Sequence, residues 1–309
     1  MLANFFDKTK PINSIVLVIA FFLFYTIYRY NYEPTTFIDF TTFERLTHII
    51  GSTLFLLISG LVFIKNGVSN GNLLNSFLMI LLYGMFPSAF EVNKTLGIVF
   101  LFLLIYKNIS ELKVSGRTQL NLFDSGLLAG VSFLIFNMSI VFILFIFIGL
   151  FFSKKIDFRT LISPVLGLIN PIILYFTYCF FTDSIDDFYR KFDFIYSLDA
   201  SLYSSLSVKI PLILISITTG IAIITVFPKV ISVSNKYRYQ FQLLLTMLFI
   251  GSLLVFISPQ KNGSEFLYVF IPIAAIHGKF IKTISNEKVK EFFIIGLAIF
   301  SITLLCYRP

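Results

Sequence analysis

Apolar runs long enough to cross a bilayer, separated by short polar gaps, fill nearly the whole chain. The first spans about Ile12 to Tyr30 and the second about Thr47 to Ile64, on either side of the polar gap Asn31 to Leu46. A Gly and Asn-rich turn, KNGVSNGN, leads into a third run that reaches Phe90, with Pro87 near its end, and a fourth that ends near Tyr106. Five more follow: Thr160 to Thr182, Ile210 to Phe227, a run closing at Pro259, Phe266 to Ile281, and Phe292 to Cys306. Between the fourth and the next lies LFDSGLLAGVSFLIFNMSIVFILFIFIGLFFSKK, too long for one comfortable span. A single crossing there would invert every later gap, so the pattern predicts two short helices divided near Asn137. One long tilted helix over residues 126–152 is the alternative. The expected fold is an all-α, polytopic membrane helix bundle of about nine long and two short membrane helices, forming one integral domain over residues 1–309.

Charge gives the bundle a direction. Reading the gaps alternately, 16 of the 24 Lys and Arg residues fall on one side and 8 on the other, while the 16 carboxylates divide 6 to 10. Basic residues collect in cytoplasmic loops. The amino terminus is therefore expected inside and the carboxyl terminus outside, in the inner (cytoplasmic) membrane of a bacterium.

Composition excludes the main alternatives. A chain with 57% hydrophobic and 13% charged residues has too little polar surface for a soluble globule of 309 residues. Its net charge of +8 is spread over all the gaps and not gathered beside base-stacking aromatics, so no nucleic acid is expected and the partner is membrane lipid. Cys179 and Cys306 lie in or at the end of apolar runs without metal-ligand spacing, and there are two histidines, His48 and His277. No metal site and no cofactor are expected. No Walker loop, dinucleotide fingerprint, HExxH or nucleophile elbow occurs.

Smaller signals sit on this frame. Gly126 and Gly130, four apart, allow a neighbouring helix to approach closely. Pro164 and Asn170-Pro171 fall inside one run, where each proline frees a carbonyl one turn back and the Asn170 amide is placed to satisfy it. The longest polar gap, DSIDDFYRKFDFIYSLDASLYSSLSVK, interleaves charges with aromatics and predicts a short helix on the outer surface.

Two groups on the expected outer side could carry chemistry. Asp39 lies in the apolar context TFIDFTTFERL, and a carboxylate half-removed from water has a raised pKa suited to a general base. In a plain structural reading, it caps or solvates an interfacial helix. Arg190 and Lys191 form a cation pair at headgroup level, able to hold a lipid phosphate, or to pair with Asp186, Asp187 and Asp193 at helical spacing.

The opening FFDKTKPIN and the Phe-rich first run resemble an uncharacterised multi-pass inner-membrane family of the Bacteroidota, which implies no activity. A more distant resemblance covers the middle of the chain. The order LFDSGLLAGVSFLIFNMSIVFILFIFIGLFF, a basic turn SKKIDFR, then LISPVLGLINPIILYF is similar to membrane glycosyltransferases of the GT-C superfamily, as is NGSEFLYVFIPIAAI near the end. That resemblance implies a polyprenyl-phosphate sugar as donor and an acidic residue of the first outer loop in catalysis. Asp39 is the match, Glu33 the second, and Arg190 or Lys191 would contact the donor phosphate. The first outer loop is shorter than in that superfamily and holds no adjacent acidic pair. A non-enzymatic role, as a cell-envelope assembly partner or a small transporter, is the alternative.

Overall fold

Lipid offers no partner to a backbone amide or carbonyl, so a chain this apolar must close its hydrogen bonds within each segment. The computed structural model describes residues 5–6, 11–32, 43–65, 73–91, 94–114, 116–199, 201–231, 235–259 and 261–307. All regular structure among them is helical. The elements are α1 Pro11–Tyr32, α2 Phe43–Lys65, α3 Leu74–Met85, α4 Thr95–Ser110, α5 Thr118–Ile135, α6 Phe142–Ser153, α7 Phe158–Phe181, α8 Ile185–Arg190, α9 Leu206–Ile231, α10 Asn235–Ile257, α11 Leu267–Thr283 and α12 Glu287–Cys306. Short 3-10 turns occupy Pro87–Phe90, Asn137–Val141, Ser201–Ser204 and Ser264–Phe266.

Seven helices among the described residues are long and apolar enough to cross a membrane: α1, α2, α7, α9, α10, α11 and α12. The third and fourth expected spans are instead shorter apolar helices, α3 and α4. The third stops at Met85 because Pro87 cannot continue a helix and forces Phe86 out of helical backbone, at φ −126° and ψ 80°. Nearly every residue of α3 is buried, so it does not have to match the thickness of the bilayer. Several other helices run past their apolar stretch; α9 starts at Leu206, not Ile210, and ends at Ile231. Helical backbone carries its own hydrogen bonds into the headgroups, where Lys209 and Lys229 can snorkel.

The described helices fall into two compact sets. One comprises residues 1–93, 199–237 and 261–309, the other residues 94–198 and 238–260. In the first, α3 and α11 are buried almost end to end, with Tyr83 of α3 at 5.1–5.5 Å between ring centroids from Phe21, Phe90 and Phe270. Polar groups tie its helices together: Ser301 donates to the Leu81 carbonyl at 2.7 Å, and His277 bridges the Ile273 carbonyl and Thr218 at 3.0 and 3.2 Å. The carboxyl ends of α1 and α12 meet through Asn31 and the Leu305 carbonyl, and those of α9 and α11 through Lys229 and the Thr283 carbonyl. The alternation of gaps assigns the members of each pair to one side.

In the second set the long run after the basic loop does break beside Asn137. Helix α5 ends where Phe136 turns extended at φ −146°, and the chain returns through Asn137–Val141 and α6. The outgoing arm rises about 27 Å and the returning one about 28 Å. Each is close to the ~30 Å of a hydrocarbon core. Helix α7 lies against α5 with Thr160, Pro164, Gly167 and Pro171 on its buried face. The contact is backbone to backbone: a Cβ on Gly126 would stand 2.0 Å from the Pro164 carbonyl oxygen, and one on Gly167 2.1 Å from that of Phe123. Asn170 falls off this stripe and is exposed, so it is not turned to the carbonyl that Pro171 frees.

The carboxyl end of α4 shows how the buried polar backbone is satisfied. Its last four carbonyls lack intrahelical partners. Ser110 donates to Lys107 at 2.6 Å, Asn121 to Asn108 at 3.4 Å, the Tyr239 hydroxyl to Ile109 at 2.7 Å and Gln240 to Ser110 at 3.0 Å. Tyr106 completes the network with a 3.1 Å bond to Gln240.

The glycine contact predicts a sharp contrast. Gly167→Ala should lower unfolding free energy by about 1–3 kcal/mol, because the added methyl must push two backbones apart. Gly296→Ala on α12, where a Cβ meets nothing within 4 Å, should leave stability unchanged or raise it by up to about 1 kcal/mol. Steric-trap unfolding in bicelles reads both, and matching values would remove close approach as the cause.

Candidate functional site

Helix α7 ends where Asp183 takes a left-handed conformation at φ 52°, letting the Ser184 amide reach back to the Cys179 carbonyl at 2.9 Å. The chain then forms the short helix α8, with Asp186 and Asp187 in its first turn and Arg190 in its last, the order the helix dipole favours. Phe188 packs on Phe176 and Phe192, at 5.1 and 5.2 Å, and Phe192 lies 5.4 Å from Phe133 of α5. Aromatic packing thus seats this short helix on the α5–α7 pair.

The two expected cations have different tasks. Lys191 donates to the Leu134 carbonyl at 2.9 Å, closing the end of α5, and its ammonium lies 5.6 Å from the Tyr175 ring centroid. Asn137 donates to the Asp193 carbonyl beside it. Arg190 points away: it meets Asp187 at 3.4 Å, with the two side chains 75% and 58% exposed. An ion pair that open is worth at most about 1 kcal/mol, so the guanidinium can exchange it for another anion. Asp39 and Glu33 lie outside the described residues. The structure therefore brings Arg190 and Lys191 to one short helix and gives no placement for the two acids.

A second cluster, not anticipated from the sequence, occupies the turn before α11. Glu265, 1% exposed, accepts the Tyr203 hydroxyl at Oε1 and the Gly263 amide, 2.8 Å away, at Oε2. Gly263 is held at φ 98°, and Asn262 ties the turn to Glu91 at 3.1 Å. Lys261, 5% exposed, places its ammonium 5.5 Å from the centroid of the Tyr203 ring. Burial, and then the Glu265 carboxylate, push the Tyr203 hydroxyl well above the usual phenol range. The Ser201 amide holds Asp199 below the usual carboxylate range. The carboxylate is enclosed by its own partners, so this cluster works as a clasp on the turn. Its sequence signal was slight: a lone acid between Gly-Ser and an aromatic run.

Among the described residues no three His, Cys, Asp or Glu side chains gather where they could hold a metal ion. The long apolar helices define an all-helical, multi-pass membrane protein. The chain belongs to a family of unknown function, DUF6427, which matches residues 1–308. No curated protein and no solved structure matches it.

Removing the hydroxyl in Tyr203→Phe leaves the buried carboxylate short of a donor and should cost about 1–3 kcal/mol. An unfolded chain releases a tyrosine proton near pH 10 while the folded one keeps that of Tyr203, so this group lowers stability as pH rises beyond about 10. The alkaline fall in stability should be shallower in Tyr203→Phe than in the wild type. Parallel slopes in chemical unfolding would mean that folding does not hold the proton on this hydroxyl.

Proposed function

We propose that this protein works at the outer leaflet of a bacterial inner membrane, on a lipid that carries a phosphate, as a GT-C-like transferase of a sugar from a polyprenyl-phosphate donor. The observation that supports it is Arg190: an exposed guanidinium on a short helix seated by aromatic packing, where a lipid headgroup would lie. The resemblance of the α5–α7 region to that superfamily supplies the reaction class.

In this reading Asp39 takes the proton of an acceptor hydroxyl, whose oxygen bonds to the anomeric carbon. The bond from that carbon to the donor phosphate breaks, and the polyprenyl phosphate departs with the electron pair. Arg190 balances the charge that develops on the leaving oxygen. Glu33 is the second acid of the same loop. Lys191 contributes a fixed positive field from its place on the Leu134 carbonyl. That same bond favours a second reading, in which α8 is a structural strap and the protein is a non-enzymatic envelope assembly partner or small transporter.

Turnover of a polyprenyl-phosphate sugar by purified protein tests the proposal. Wild-type activity should fall by about 10²-fold or more in Asp39→Asn. Arg190→Ala should also lose activity, while Lys288→Gln on α12 should not. Undiminished turnover in Asp39→Asn removes the base, and no turnover by the wild type with any donor leaves the second reading.

A further inference from the structure

At the opposite end of the α5–α6 hairpin from α8 lies a cleft of about 670 Å³, where the start of α5 meets the turn from α6 into α7. Arg117 enters it from one wall and Lys154 and Lys155 from the other. This is the end that charge sorting assigns to the inside. Among its lining residues the only carboxylate is Asp157, which is engaged in the reciprocal cap of α7 with Thr160. Lys155 reaches across to the Thr118 hydroxyl at 3.3 Å.

The placement of Arg117 is electrostatically adverse. Helix amino ends carry partial positive charge and favour anions. Yet Arg117 stands at the amino cap of α5, whereas Lys154 caps the carboxyl end of α6, where a cation is favoured, and Asp157 caps the start of α7. Lys113 stands in the same field: burial, and then Lys154 and Arg238, hold its ammonium below the usual lysine range. Lys113 already lies 4.7 Å from the Tyr239 ring centroid, which answers part of its own charge but none of the cleft's. Positive charge has been gathered from three chain segments around a space large enough for a headgroup.

We propose that this cleft binds a phosphate group, presented by an anionic phospholipid of the inner leaflet or by a soluble phosphate compound. Arg117 offers the two-pronged contact suited to a phosphate, and Lys154 and Lys155 supply charge from the facing wall. The site is separate from the outer patch, and it stands whether or not the protein transfers a sugar.

Lys154 allows a clean test because its backbone is left-handed, at φ 59° and ψ 27°, a conformation that glycine adopts more readily. Lys154→Gly therefore removes the charge without straining the turn. Full-length wild type, Lys154→Gly, Arg117→Gln and the control Lys288→Gln are placed in nanodiscs of equal parts phosphatidylglycerol and phosphatidylcholine. Retained lipid is then counted by native mass spectrometry. Each cleft substitution should reduce the preference for phosphatidylglycerol about fivefold, and the control should not. In a second arm, inorganic phosphate is titrated into protein in phosphatidylcholine discs. Binding there that the cleft substitutions abolish supports the same site with a soluble ligand. Equal retention in all four proteins together with no phosphate binding overturns the proposal, as does a control that loses as much as the cleft variants.

Discussion

Helices in lipid have no hydrophobic effect to press them together, so the second helix set rests on how closely α5 and α7 can approach. Attraction there comes from dispersion and falls away within fractions of an ångström. Gly126 and Gly130 on one side and Gly167 on the other remove the side chains that would hold the axes apart. Everything distal to this contact depends on it. It fixes the turn after α6, which carries Lys154 and Lys155 to face Arg117, and it fixes the end of α7, from which α8 folds back on α5. The Ser163 hydroxyl, donating to the Gln119 carbonyl at 2.7 Å, closes the same pair of helices at its basic end.

Polar groups in this bundle are spent on backbone more than on one another. The carbonyls at the end of α4 are answered by Ser110, Asn121, Tyr239 and Gln240, that of Leu134 at the end of α5 by Lys191, and that of Leu81 within α3 by Ser301. This follows from the medium. An unanswered carbonyl that water cannot reach costs several kcal/mol, whereas two side chains can both turn away. It also explains why helix ends in this chain hold conspicuous polar residues that need not touch a ligand. Lys191 is the instructive case, since from sequence it reads as half of a phosphate clamp and in the fold it closes a helix.

The features legible in the sequence were those with a short-range cause. Hydropathy marks the apolar helices, the alternation of charge divides the long run near Asn137, and the spacing of Gly126 and Gly130 marks a close contact. What escaped was set by neighbours distant in the chain. The 12 residues of α3 make an acceptable helix only because α11, α12 and α2 surround it. Glu265 and Tyr203 are 62 positions apart, and nothing local to either announces their bond. Local patterning also overstated the role of Asn170, because the face of α7 that meets α5 is decided by where glycine lies, not by where an amide would be useful.

The hairpin treats positive charge differently at its two ends, and the difference has physical content. At the carboxyl end of α5, Lys191 lies where the helix dipole welcomes a cation, and it has a carbonyl in contact. Such a residue is explained by the fold alone. At the amino end of the same helix, Arg117 lies where the dipole repels it, across the cleft from two lysines in the turn between α6 and α7. Selection for basic inner loops would explain cations gathered on one side of a membrane, but it would be met equally well if they were dispersed into solvent. Here three cations converge on one cleft instead, Arg117 at an adverse helix end, and the proposed phosphate would balance that convergence. Cations gathered around open space are therefore a better guide to a ligand than a cation seated on a helix-end carbonyl.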